Sequence, residues 1–360
     1  MIAAGLGLRT AQANDVGRSR PFGVYLGLRL TTTAMALVVI VVVALVGYRT
    51  AASVILVYAL AKAAEATSEI VWGQLQQQED MARIARSMVL KGVLATSAVA
   101  IALVVTHDLL VVVAGIALAW GLTLVGYDLV VARRFDQSLR PQFDVVALGE
   151  LARTSLPLGI VLMIGSYAAN VPRYLVDHYG GERELGVFSA NANLMVIGVT
   201  LMTALGQAAA PRLARAYFER NRREVARLLR TLLAVALTLG LGGVAVAALA
   251  GRFALALLYT REFAERVDVL IVVMLAGLAA NIAGAFGVMI TASGEYRRQV
   301  GLQIANLVVA LGVAWLLVPS YGALGAAWAA CAASSVTAIA FGLLALARLR
   351  ACTPVRNGPP

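Results

Sequence analysis

Ten apolar stretches, each long enough to cross a bilayer as a helix, divide this chain, and its positive charge collects in every second gap between them. A helix needs about 20 apolar residues to span the hydrocarbon layer, where only helices and closed barrels satisfy their own backbone groups. The stretches fall at 23–47, 51–75, 88–106, 109–132, 155–176, 185–210, 228–249, 268–291, 298–318 and 322–347. With 61% hydrophobic and 14% charged residues, no water-soluble core could hide this surface. The fold class is therefore all-α, a polytopic membrane helix bundle.

Orientation follows from the basic residues. Counting a residue that falls near the end of a span with the adjoining gap, the N-terminal segment, the even-numbered gaps and the tail carry twenty-three of the thirty Lys and Arg, the intervening gaps carry six, and Lys62 lies deep inside a span. Cytoplasmic loops hold the excess of Lys and Arg, so both termini are expected in the cytoplasm and the protein in the inner, cytoplasmic membrane. The net charge of +11 is explained by topology, and no nucleic acid partner is expected. Cys331 falls inside the last span and Cys352 in the tail, too far apart for a disulfide. Residues 1–16 lack the basic start, apolar stretch and cleavage site of a secretory signal.

The longest polar interruption runs from Arg133 to Arg153. It predicts an N-lobe of four spans at 1–132, a cytoplasmic connector with a short helix at 133–153, a C-lobe of six spans at 154–347 and a cytoplasmic tail at 348–360. Thr154 and Ser155 ahead of Pro157 read as a helix start, Pro172 as an interruption, and Gly180-Gly181 as the elbow of a helical hairpin. Asn221 reads as the break between two helices reaching into the arginine-crowded sixth gap.

No catalytic constellation, metal-ligand spacing or phosphate-cradling loop is present, so no enzyme activity, cofactor or metal is expected. The informative residues are charges inside spans. Lys62, Glu65 and Glu69, three and four apart, share one helical face. A mid-membrane charge costs about 2.5–3.5 kcal/mol on insertion scales, so that face should turn inward. The face reads either as ion-coupling or gating machinery, or as a Lys62–Glu65 pair with Glu69 reaching the interface. Asn170, Arg173 and Asp177 share a second face: Arg173 reads as a diphosphate contact in a wet vestibule, or as an interfacial partner of Asp177, itself a gating candidate. Asn191 and Gln303 are polar groups suited to a sugar-lined path or to helix-to-helix bonding, while Arg29 and Arg298 are weaker anion contacts. Trp72, Trp120, Trp315 and Trp328 read as lipid or packing residues.

Several short pieces in order resemble one family. They are Gly7-Leu8-Arg9 with Asp15; Lys62, Glu65, Glu69, Gly73 and Gln76 leading to Arg83, Ala85 and Ser87; Pro157; Pro172-Arg173-Tyr174; Gly186 with Phe188-Ser189; Pro211-Arg212-Leu213-Ala214; and Tyr321-Gly322 before Gly325-Ala326-Ala327. Over nearly the whole chain this resembles the polysaccharide, or lipid-linked oligosaccharide, flippases of the MATE-like superfamily, which serve lipopolysaccharide, capsule and exopolysaccharide export. The resemblance implies two six-helix lobes, of which the first two helices have no counterpart here. It also implies a transporter moving an undecaprenyl-diphosphate-linked oligosaccharide across the membrane by alternating access, with other polysaccharide export proteins as possible partners. The alternatives are a multidrug or cation antiporter of the same superfamily, which would use Glu65 and Glu69, and a membrane glycan ligase or polymerase, against which the short loops argue.

Overall fold

The computed structural model of the protein describes residues 7–15, 20–134, 139–259 and 261–352. The opening residues 1–6, Arg18, Asp136 and the tail from 353 onward lie outside them. The chain divides into two units, Met1–Ile160 and Val161–Pro360.

Unit 1 begins with a short helix, α1 (Leu8–Ala13), followed by α2 (Phe22–Gly47), α3 (Ala52–Gln77), α4 (Met81–Val105) and α5 (Leu109–Thr123). A single π-helical turn, Leu124–Asp128, leads from α5 into α6 (Leu129–Ala132). Where a loop residue can cap, the helix starts there. Asp80 accepts from the Arg83 amide at 3.2 Å and Asp108 from the Leu110 amide at 2.8 Å, each satisfying an N–H the helix itself cannot. The core of the unit gathers Leu8, Phe22, Tyr25, Ile70, Trp72, Leu75, Ile84 and Leu151. Residues 140–142 lie across α2: the Gln142 amide donates to the Gly23 carbonyl at 2.9 Å, and a Cβ on Gly27 would stand 2.1 Å from the Gln142 carbonyl oxygen. Only glycine admits that strap.

Helix α7 (Val145–Phe218) begins in unit 1 and passes into unit 2, which continues with α8 (Arg222–Leu258), α9 (Arg261–Ala264), α10 (Val267–Ala292) and α11 (Tyr296–Ala351). Among the described residues, seven helices are long and apolar enough to cross a membrane. Two of them are far too long for one crossing: 74 and 56 residues at 1.5 Å each would reach about 111 and 84 Å, against a hydrocarbon layer of about 30 Å. Both leave helical geometry at one glycine, Gly181 (φ 70°) in α7 and Gly322 (φ 54°) in α11. Residues with a Cβ rarely adopt this left-handed region. The reversal at Gly322 is direct, because a Cβ on Gly325 would stand 2.4 Å from the carbonyl oxygen of Leu317, eight positions back in sequence. Counting each as two rods and adding α3, whose 26 residues suffice although its charges depress its hydropathy, gives the ten crossings expected.

Two local expectations are corrected. The helix expected to start at Thr154 starts at Val145, and the Thr154 hydroxyl bonds back to the Glu150 carbonyl at 2.6 Å instead of capping. Ser155 and Pro157 likewise lie within α7. Pro172 does not interrupt it: the only non-helical residue inside is Gly181. By contrast Asn221 breaks the chain as expected, its side chain accepting from the Glu224 amide at 3.2 Å at the head of α8.

Unit 2 packs on small residues. Ala310, Ala314, Ala323, Ala326, Ala327 and Ala329 are all fully buried, which brings helix backbones close enough for dispersion to hold them where no hydrophobic drive exists. Long apolar side chains such as Leu249 and Leu316, and Val104 in unit 1, instead face outward. On a soluble protein they would form an adhesive surface, whereas on a multi-pass membrane protein they meet acyl chains. One carboxylate ties three segments of unit 2 together: Glu184 pairs with Arg266 at 2.9 Å and accepts from the Ala323 amide at 2.7 Å, beside Gly322.

Candidate functional site

The charges of unit 1 are collected rather than scattered. Spacing along α3 places Lys62, Glu65 and Glu69 on one side, and α2 and α4 each bring a cation to that side. Lys62 Nζ lies 2.7 Å from Glu65 Oε2, and Lys91 Nζ, from α4, lies 3.4 Å from the other oxygen of the same carboxylate. Arg29, from α2, pairs with Glu69 and donates its Nε to the Ala66 carbonyl at 2.8 Å. The Lys91 and Arg29 side chains are only 8% and 7% exposed, while that of Glu69 is 38% exposed. Two cations are thus shut into the unit, and their carboxylates sit nearer its surface.

Aromatic rings complete the cage. Lys62 and Lys91 lie 5.0 and 4.3 Å from the ring centre of Trp120, and Lys91 also lies 5.0 Å from that of Trp72. Ring faces carry negative potential, so they stabilise an ammonium without neutralising its charge. Trp72 packs in the core as expected, and both rings in addition face the buried ammonium groups. Arg9 of α1 stacks against Trp72 at 5.4 Å and donates to Gln76 at 3.2 Å. Arg9 lies outside the spans, and burial pulls its guanidinium below the ordinary range while the charge of Glu69 pushes back. Beneath, the Trp72 indole N–H donates to Ser87 Oγ at 3.0 Å and to Asp128 Oδ1 at 3.3 Å, and Ser87 donates to the same Asp128 oxygen at 2.6 Å.

Sequence reasoning found Lys62, Glu65, Glu69 and Arg29 but missed Lys91 and Asp128. The signal was available. Each is a charge inside an apolar span, Lys91 ten residues into α4 and Asp128 near the end of the fourth span.

The sites expected in unit 2 are local. Arg173 donates to Asn170 Oδ1 at 3.3 Å, and Asn170 donates back along its helix to Ser166 O at 2.8 Å. Asp177 is exposed, and among the described residues no ion pair joins it to Arg173. Asn191 is fully buried, donates to Val187 O at 2.8 Å and leaves its oxygen unpartnered. Gln303 accepts from Asn306 at 3.2 Å and faces Gly165, where an added Cβ would stand 3.4 Å from its amide nitrogen. Arg298 is 61% exposed and lies 3.4 Å from Glu295, at the start of α11.

Known proteins align with this arrangement. Residues 2–217 match the profile of the family described as polysaccharide biosynthesis protein. The capsular polysaccharide biosynthesis protein CapF of Staphylococcus aureus is 24% identical over 275 residues, 76% of this chain and 69% of its own. Among solved structures, the chain resembles an outward-facing multidrug resistance MATE transporter of the MOP superfamily (TM-score 0.79, 19% identity, 98% of this chain and 84% of that one). It also resembles the Vibrio cholerae MATE transporter VcmN in its bent form (TM-score 0.76, 16% identity, 98% and 85%). A MOP superfamily transporter from Pyrococcus furiosus, whose binding pocket is described as of reverse polarity, matches at TM-score 0.76 with 19% identity over 98% and 85%. The chain, a multi-pass membrane protein with the MATE fold, belongs to the polysaccharide biosynthesis protein family.

Proposed function

We propose that the chain is a flippase that carries a lipid-diphosphate-linked oligosaccharide, of the undecaprenyl type, across the cytoplasmic membrane by alternating access. The observation that carries this reading is the pair of buried cations, Arg29 and Lys91, held inside membrane-spanning helices by the carboxylates of Glu69 and Glu65. Sugars are costly to strip of water and a diphosphate far more so, hence the path needs compensating charge while the lipid tail stays in the bilayer. A diphosphate entering unit 1 can take the place of Glu65 between Lys62 and Lys91, trading one carboxylate for a group with more charge and more acceptors. In unit 2, Arg173 with Asn170 remains our second anion contact, Asn191 and Gln303 our glycan contacts, and Arg298 a weaker one. Lys62, Glu65 and Glu69 switch partners between states in this account, and Asp177 is a further gating residue. The basic residue distribution supports cytoplasmic termini. The glycan class is supported by family membership and by the similarity to a capsular relative.

A cation antiporter is the weaker reading. It wants carboxylates open to a cargo cation, whereas Glu65 holds two ammonium groups, Glu69 a guanidinium, and Asp128, which has no such partner, is fully buried. A strain lacking the protein, complemented at matched expression with wild type, Lys91→Gln or Arg173→Ala, separates the two. Less lipid-linked glycan in the outer leaflet for both variants, with drug susceptibility unchanged, is expected. Full glycan delivery by both variants, or drug sensitivity without glycan loss, overturns the assignment.

A further inference from the structure

Among the buried charged side chains described in unit 1, Asp128 is the one that the flippase reading leaves unused. It closes the π-helical turn Leu124–Asp128, the sole such turn among the described residues, and a turn of this kind re-aims the side chains of an otherwise regular helix. It is fully buried. Its two oxygens are treated unequally. Oδ1 accepts from Ser87 at 2.6 Å and from the Trp72 indole at 3.3 Å, while Oδ2 has no hydrogen-bond partner; the Ser68 hydroxyl also borders the carboxyl.

The surrounding charges do not neutralise it. From α4, Lys91 is bonded to Glu65, and Arg83 is paired with Asp80 at 2.8 Å. From α3, Glu65 and Glu69 are themselves anionic and occupied by Lys62, Lys91 and Arg29. Arg9 of α1 lies against the Trp72 ring, and the neighbouring Tyr127 hydroxyl turns to the Arg83 carbonyl at 3.4 Å. No ion pair reaches Asp128 among the described residues.

We infer that Asp128 is a proton-binding site, with the proton carried on Oδ2 in the arrangement seen here. A carboxylic acid has one carbonyl oxygen, which accepts, and one hydroxyl oxygen, which donates; two donors converge on Oδ1 and, among the described residues, none on Oδ2, and the Ser68 hydroxyl beside the carboxyl is able to accept the hydrogen of Oδ2. A metal ion does not fit. Calcium or magnesium would need about six oxygen ligands, whereas this site offers one carboxyl, two hydroxyls, an indole N–H aimed at the carboxyl, and the positive charge of Lys91, and among the described residues no three His, Cys, Asp or Glu gather to hold a metal. Loading transfers a proton from a hydronium ion of the aqueous phase to Oδ2, breaking the O–H bond of the donor and leaving a water molecule. Unloading restores a carboxylate that competes with Glu65 for Lys91, so the proton count at Asp128 sets whether Lys91 stays on Glu65 or swings inward. That last consequence rests on the flippase reading; the proton site itself does not.

The test needs no cargo. Infrared difference spectra of the full chain in lipid nanodiscs, recorded across a pH titration, should contain a buried protonated-carboxyl stretch that Asp128→Asn removes. Ser87→Ala deprives the charged form of a hydrogen bond, so it should keep the band and move its titration toward higher pH by about one unit. A band that survives Asp128→Asn, or a titration that Ser87→Ala leaves in place, overturns the inference. If Asp128→Asn does not yield folded protein, the Ser87→Ala shift decides alone. Because no lipid-linked glycan enters the measurement, its failure leaves the transport reading standing, and the reverse also holds.

Discussion

The two units treat charge in opposite ways. Unit 1 buries cations between its helices, with Arg29, Lys62 and Lys91 set against Glu65, Glu69 and two tryptophan faces. Unit 2 has an apolar interior rich in alanine and valine, and its ion pairs cluster where helices start or reverse: Glu184 with Arg266, and Glu295 with Arg348 at 2.6 Å. Buried ion pairs repay their desolvation poorly, whereas small residues in lipid add stability through close packing. The difference teaches that unit 1 retains an arrangement stability alone would not select, and that is where we propose that the anionic headgroup is met.

Substitutions can break this contrast, and the largest loss should come from unit 2. Gly322→Val forces a branched side chain into the left-handed region and against the Glu184 carboxylate, which would lie 2.5 Å from the new Cβ. Strain and overpacking together should lower stability by about 2–4 kcal/mol, read as thermal unfolding in detergent. Survival at the wild-type melting temperature would show that the reversal at Gly322 does not shape unit 2.

Next in size is Arg29→Ala, which strands Glu69. A fully buried pair broken in this way costs about 3–5 kcal/mol, and the partial exposure of Glu69 should reduce that to about 1–3 kcal/mol, read from the same unfolding curves. Glu65→Gln sharpens the comparison through its sign. It should cost about 1 kcal/mol of stability by loosening Lys62 and Lys91, yet strengthen binding of a soluble diphosphate analogue several-fold, because the competing carboxylate is gone. Weaker analogue binding, measured by calorimetry, would mean that Glu65 does not occupy the anion's place. The smallest effect belongs to Arg348→Ala, which removes a partly exposed pair from the end of α11 and should change the melting profile by no more than about 1 kcal/mol.

Much of this was legible before any coordinates. Crossing number follows from hydrocarbon thickness, and the breaks at Gly181 and Asn221 follow from residues that suit a reversal and a cap. The reading of Thr154, Ser155 and Pro172 failed because local propensity was allowed to outrank context. A long membrane helix satisfies its backbone through the run as a whole, and membrane helices accommodate proline, so neither a hydroxyl nor one missing N–H ends it. The Lys62, Glu65 and Glu69 face was visible because its members lie on one helix, where spacing alone shows alignment. Lys91 and Asp128 come from other helices, and no spacing within α3 could reveal that both meet Trp72. The pairing of Arg29 with Glu69 across forty positions was likewise out of reach.

The most direct test of the central claim is translocation by the purified full chain in proteoliposomes, using a fluorescent lipid-diphosphate oligosaccharide and comparing wild type with Lys91→Gln. The account predicts that wild type moves the lipid between leaflets and that Lys91→Gln, folded and reconstituted equally, does so at least about tenfold more slowly, the equivalent of about 1.4 kcal/mol. Equal rates for the two proteins would contradict it, because the buried cation of unit 1 would then have no part in carrying the anionic headgroup.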